Sequence, residues 1–142
     1  IGHSLGGHNA LFTAAFDQRI RAIVTSCGFT AFHHYYEGKL AGWTSARYMP
    51  RIAQQYGNDP DRVPFDFYEV VAALAPRPVF INAPVRDSNF AITGVRKVVD
   101  QATLIYELRN AADAIRAEYP DSAPDFPDAI REAAYRWRDE TL

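Results

Sequence analysis

The chain has 142 residues, 48% of them hydrophobic and 13% aromatic, and a net charge of -2. That length allows one domain, and that composition builds a core and argues against disorder. A slightly acidic chain without a basic stripe lacks a phosphate-tracking surface, so no nucleic-acid partner is expected. No run approaches the ~20 apolar residues that cross a bilayer, so no membrane partner is expected either. The single cysteine, Cys27, has no partner for an internal disulfide and leaves the redox compartment open.

Residues 5–16 (LGGHNALFTAAF) read as a helix with small residues at its start. Residues 21–27 (RAIVTSC) are a short, β-rich apolar run, expected as a buried strand. Residues 28–67 are long and irregular, with glycine, proline and many aromatics. A connection of that length is usually functional, and it reads as a cap-like insert with one short helix near 49–56. A helix over 68–74 stops at Ala75-Pro76, because the residue before proline disfavours αR. Residues 78–83 (PVFINA) are a second buried strand, and 84–90 a polar loop. The spacing predicts a helix over 94–110, with Val95, Val98, Val99, Ala102, Ile105 and Tyr106 on one stripe. Residues 114–119 form a weaker strand, and 120–127 (PDSAPDFP) a loop. A closing helix over 128–140 is capped by Asp128, with Glu132 in its first turns. The alternation predicts an α/β fold of parallel strands with crossover helices. Catalytic groups on such sheets sit in loops after the strands' C-terminal ends.

Gly2-His3-Ser4-Leu5-Gly6 fits G-x-S-x-G, followed by Gly7. In this motif the serine sits on a strained strand-to-helix turn that lifts its hydroxyl clear of the sheet. Gly2 and Gly6 lack Cβ, so strand and helix are expected to approach closely there. The Leu5 backbone N–H is aimed at a developing oxyanion, helped by the helix N-terminus. The spacing does not suit the G-x-G-x-x-G of a dinucleotide loop.

The stretch IGHSLGGHNALFTAAFDQRIRAIVTSCG resembles the elbow segment of α/β-hydrolase-fold serine esterases, the group of dienelactone hydrolases, acetyl xylan esterases and prolyl oligopeptidases. The resemblance runs to about Trp137, and APRPVFINAPVRDSNF and YPDSAPDFP are its other specific pieces. It implies the C-terminal part of an α/β-hydrolase domain across 1–142. The sheet's N-terminal strands, and the oxyanion donor they carry, are then expected in a preceding part absent from this sequence. On that expectation the strand over 21–27 would lack its neighbour and leave an exposed apolar edge.

The resemblance also implies a triad in the order serine, acid, histidine. Ser4 matches the nucleophile and Asp87 the acid that orients and stabilises the imidazolium. The general base would fall where relatives read like His-Asp-Phe-Pro. This chain has Pro124-Asp125-Phe126-Pro127, and proline has no proton to accept. Without a base the serine is a poor nucleophile, and loss of a triad member costs several orders of magnitude.

Four histidines are present as substitutes. His3 is inside the elbow, His8 lies one turn beyond Ser4, and His33 and His34 begin the insert. Asp121 and Asp125 flank the Pro124 position, where a loop acid is more often solvated than basic. Asp59, Asp61 and Asp66 lack metal-ligand spacing, so no metal and no cofactor is expected. Cys27 reads as a small core residue. Trp43, Tyr48, Phe65, Phe67 and Tyr68 either line an acyl or sugar pocket or simply pack the insert on the sheet. Arg86 and Asn89 flank Asp87 without an assigned role.

The resemblance thus implies a serine hydrolase that cleaves small-molecule carboxylic esters through an acyl-enzyme on Ser4. One alternative is a catalytically impaired hydrolase-fold domain with a binding role, because of Pro124. Another is a serine peptidase of the prolyl oligopeptidase type.

Overall fold

A computed structural model describes residues 1–142. Four parallel strands form one sheet in the order β1-β2-β3-β4: Gly2–His3, Ile23–Ser26, Val79–Asn82 and Ile115–Glu118. Five α-helices accompany them: α1 Leu5–Phe16, α2 Pro50–Tyr56, α3 Phe67–Ala72, α4 Ile92–Leu108 and α5 Asp128–Thr141. The α/β expectation holds, with one strand more than the sequence suggested. Two residues suffice for β1, which pairs Gly2 with Thr25 and His3 with Ser26. The strand over 21–27 therefore keeps a neighbour along its C-terminal half, and its regular part is confined to Ile23–Ser26.

All four residues of β2 and of β3 are buried, as both faces of a parallel sheet require. Alternation divides them. Ile23, Val79 and Ile81 join a core of 22 buried residues with Leu11 and Ala14 of α1, Val70 and Val71 of α3, and Val95, Val98, Ala102 and Tyr106 of α4. Val24 and Phe80 face the other way, against Ala134 and Trp137 of α5. On that second face Ser26 follows Val24 and Asn82 follows Phe80 at the period-two spacing of a strand.

Helix α4 keeps its expected stripe except at Ile105, which is exposed, so the buried face runs through Ala102 to Tyr106. Helix α3 starts one residue early because Asp66 caps it. The Asp66 carboxylate accepts from the Phe67 N–H and, at 2.8 Å, from the Phe32 N–H, while Glu69 accepts from the Asp66 N–H at 2.8 Å. Asp128 is not a cap. Pro127 occupies that position, and Asp128 is the first helical residue of α5, paired with Arg131 at 2.7 Å.

Between β2 and α3 the chain makes three 3-10 turns and α2. Trp43 and Phe67 are buried, whereas Tyr48, Phe65 and Tyr68 are half-buried. Trp43 stacks on Tyr35 with ring centroids 4.2 Å apart, and Phe67 stacks on Phe29 at 5.2 Å. These aromatics are the packing of the insert on the domain.

Candidate functional site

Ser4 joins β1 to α1 with φ 53° and ψ -119°, a backbone that an L-residue adopts only under constraint. The constraint is visible on both sides. The Ser4 N–H donates to the Ser26 carbonyl at 2.8 Å, and the Ser4 carbonyl accepts from the His8 N–H at 3.0 Å. A Cβ on Gly2 would fall 2.0 Å from the Gly6 carbonyl oxygen, so only glycine fits there. Gly6 differs from the expectation, since a Cβ on it would meet nothing within 4 Å. It is Gly7 that lets α1 approach β2, because a Cβ there would lie 2.9 Å from the Ser26 carbonyl oxygen.

The turn leaves the Ser4 side chain exposed, without a hydrogen bond. Leu5 is the first residue of α1, so its N–H has no intrahelical acceptor and lies at the positive end of the helix dipole.

Asp87 lies in the loop after β3 and is half-buried. Its Oδ1 accepts from the Asn89 N–H at 2.8 Å and the Phe90 N–H at 3.1 Å, which fixes the carboxylate within its own turn. It shares a small cavity with Cys27, Asn82 and Phe90. Burial pushes the Cys27 thiol up to about 11, so Cys27 is a protonated, buried thiol at neutral pH.

The 120–127 loop is zipped to the Asp87 loop. The Val85 N–H donates to the Pro120 carbonyl at 3.0 Å and the Arg86 N–H to the Ser122 carbonyl at 3.2 Å. The Arg86 guanidinium donates to the Asp121 carbonyl at 2.7 Å and pairs with its carboxylate at 3.1 Å. Further along, the Asp125 carbonyl accepts from Asn82 Nδ2 at 2.8 Å. Pro124 is exposed beside it. Ser4, Asp87 and Pro124 thus occupy the loops that follow β1, β3 and β4, all at the C-terminal edge of the sheet.

No histidine bonds to Ser4. His3 Nδ1 lies 2.9 Å from Ser26 Oγ. His8 is buried, stacked on Phe12 at 4.8 Å and edge-on to Phe67, and desolvation lowers its pKa to about 4. His33 pairs with Asp61 at 2.8 Å, and His34 Nδ1 lies 3.2 Å from Thr93 Oγ1. Of the two acids beside Pro124, Asp121 is held by Arg86, and the exposed Asp125 accepts from the Phe126 N–H at 2.7 Å. Asn89 accepts from the Tyr36 hydroxyl at 2.5 Å, which ties the insert to the Asp87 turn. No three His, Cys, Asp or Glu side chains converge as a metal-ligand group, and no helix is long and apolar enough to cross a membrane.

Sequence reasoning missed Ser26 and Asn82. Both are fully buried polar residues at the ends of buried strands, and that placement was the available signal.

No protein-family profile matches the chain. It is 29% identical over its whole length to YtaP of Bacillus subtilis (strain 168), whose name proposes a hydrolase, and spans 45% of that protein. It is 24% identical over 132 residues to carbohydrate esterase MZ0003 from an unknown prokaryotic organism, covering 85% of this chain and 29% of that one. Among solved structures it superposes on a carbohydrate esterase family 15 glucuronoyl esterase from Caldicellulosiruptor kristjansonii, with a TM-score of 0.82 and 24% identity. That match covers 99% of this chain and 42% of the esterase. The fold is therefore the C-terminal part of the α/β-hydrolase fold found in these carboxylesterases. The chain spans less than half the length of the relatives it matches.

Proposed function

We propose that Ser4 is the nucleophile of a serine hydrolase that cleaves carboxylic esters, with Asp87 as its acid. The strained backbone of Ser4 carries this reading, because the turn costs stability and serves to present one hydroxyl. The names of the relatives support an ester substrate, and the glucuronoyl esterases support one on a carbohydrate. In the reaction, Ser4 Oγ attacks the ester carbonyl carbon and the Leu5 N–H donates to the oxyanion. The alcohol leaves with a proton, and water then releases the acid from the Ser4 acyl-enzyme. The Ser4 proton must pass to a general base and from it to the departing alcohol. Asp87 would orient such a base at position 124 and stabilise its charged form, a role that Pro124 itself cannot fill. The insert over 28–67 forms a cap over the site.

Pro124 supports a second reading, a hydrolase-fold domain whose catalysis is impaired and whose site binds rather than cleaves. No histidine bonds to Ser4, and the two acids beside Pro124 are engaged elsewhere. Hydrolysis of aryl acetates and uronic acid methyl esters by the parent, Ser4→Ala and Pro124→His separates the two. The esterase reading expects turnover by the parent that Ser4→Ala abolishes. The binding reading expects turnover only after Pro124→His, with a gain on the order of 10³-fold or more. Turnover that survives Ser4→Ala would overturn both.

A further inference from the structure

The C-terminal ends of β1, β2 and β3 carry a polar rung that the reaction above does not use. His3, Ser26 and Asn82 are register partners across the three parallel strands. Asn82 Nδ2 donates to Ser26 Oγ at 2.8 Å, and Ser26 Oγ lies 2.9 Å from His3 Nδ1. The same Nδ2 donates to the Asp125 carbonyl at 2.8 Å. A carbonyl only accepts, so the amide must turn its nitrogen this way, and both of its protons are used. Asn82 is 1% exposed and Ser26 0%, and Asn82 Oδ1 has no partner. A sheet built only for packing would place an aliphatic residue at position 82, in line with Phe80 on the α5 face.

The connections of this one side chain are directional. Through Ser26 it reaches the residue whose carbonyl holds the Ser4 N–H at 2.8 Å. Through the Asp125 carbonyl it reaches the residue next to Pro124. The Arg86–Asp121 pair holds the near end of the same loop but is exposed, and such pairs contribute little. The two backbone bonds from Val85 and Arg86 also stop at residue 122, and at the far end the Asp125 carbonyl accepts from the Cys27 thiol only at 3.6 Å, so the buried Asn82 bond is the stronger attachment there.

We propose that Asn82 is a positioning residue, which ties the loop carrying position 124 to the strand that anchors the nucleophile turn. This rests on the reading of Ser4 as nucleophile and of position 124 as the slot for the base. Replacement of Asn82 releases the loop, and a base placed at position 124 then loses its register with Ser4.

The test uses hydrogen exchange and a fluorophosphonate probe. Asn82→Leu removes both donors. Asn82→Asp keeps the shape and faces the Asp125 carbonyl with an acceptor, and it serves if the leucine chain does not fold. The hydrogen-bonded amides of Ser122 and Phe126 are expected to exchange at least tenfold faster, with those of α4 unchanged. In a Pro124→His chain, either substitution at 82 is expected to lower phosphonylation of Ser4 at least tenfold and to remove its pH-dependent component. General destabilisation would lower the labelled fraction without altering the pH profile. Unchanged exchange of Ser122 and Phe126 overturns the tie. Faster exchange with an unchanged rate and pH profile overturns the positioning role and leaves Ser4 as nucleophile. Absence of labelling in Pro124→His with Asn82 intact overturns the nucleophile reading and the positioning role together, and the exchange result then reports the loop attachment by itself.

Discussion

Replacing Ser4 by glycine should stabilise the chain, and replacing it by alanine should not. Both substitutions remove the hydroxyl, which makes no hydrogen bond, so their difference isolates the backbone. A residue with a Cβ held at φ 53° and ψ -119° carries strain of about 1–3 kcal/mol. Alanine keeps that strain and glycine releases it, less about 0.4–1 kcal/mol for the greater freedom of glycine in the unfolded chain. At the middle of these ranges the net advantage of Ser4→Gly over Ser4→Ala is about 1.3 kcal/mol. Unfolding entropy of about 2.1 cal/mol/K per residue, over 142 residues, turns this into a Tm difference of about 4 °C. Calorimetry on the two variants, with urea titration as a second measure, reads it. A Ser4→Gly chain no more stable than Ser4→Ala would refute the claim that the turn stores strain.

Gly2 and Gly6 should respond oppositely to alanine. Gly2→Ala drives a Cβ into backbone atoms of Gly6 and Gly7 and should cost about 2–3 kcal/mol, whereas Gly6→Ala meets open space and should be neutral or slightly stabilising in urea denaturation. His8 should make stability fall in acid. Its folded pKa of about 4 lies below the unfolded value of 6.5, so the unfolded chain takes up the proton first. The contribution is full above pH 6.5 and is lost as pH falls toward 4, up to about 3 kcal/mol in all. His8→Leu should flatten that part of the pH–stability curve, and an unchanged slope between pH 6.5 and 4 would contradict the assignment.

Much of the fold was legible because its signals are local. The apolar runs around Ile23–Ser26 and Val79–Asn82 announce buried strands, and Ala75-Pro76 stops a helix close to where α3 ends. Helix starts were less legible. Asp66 and Glu69 form a capping box whose three-residue spacing was present in the sequence, while Asp128 imitates a cap and stands one position too late. Ile105 fits the α4 stripe by spacing, yet the neighbouring elements stop short of it.

At the site, the G-x-S-x-G turn could be read directly because strain and close approach demand those residue types. The division of labour among its glycines could not, since whether a Cβ meets anything depends on atoms brought in by β2. Ser26 and Asn82 escaped notice for a related reason. Their bonding is set by strand register and by a loop some forty residues further along, and neither is written in local periodicity.

The central claim is that Ser4 is the nucleophile and that position 124 is the slot for its base. Mass spectrometry of the parent, Ser4→Ala and Pro124→His after exposure to a fluorophosphonate tests it most directly. The account predicts an adduct on Ser4, none in Ser4→Ala, and adduct formation faster in Pro124→His than in the parent by on the order of 10³-fold. An adduct on another residue, or no adduct on Ser4 in either the parent or Pro124→His, would contradict it.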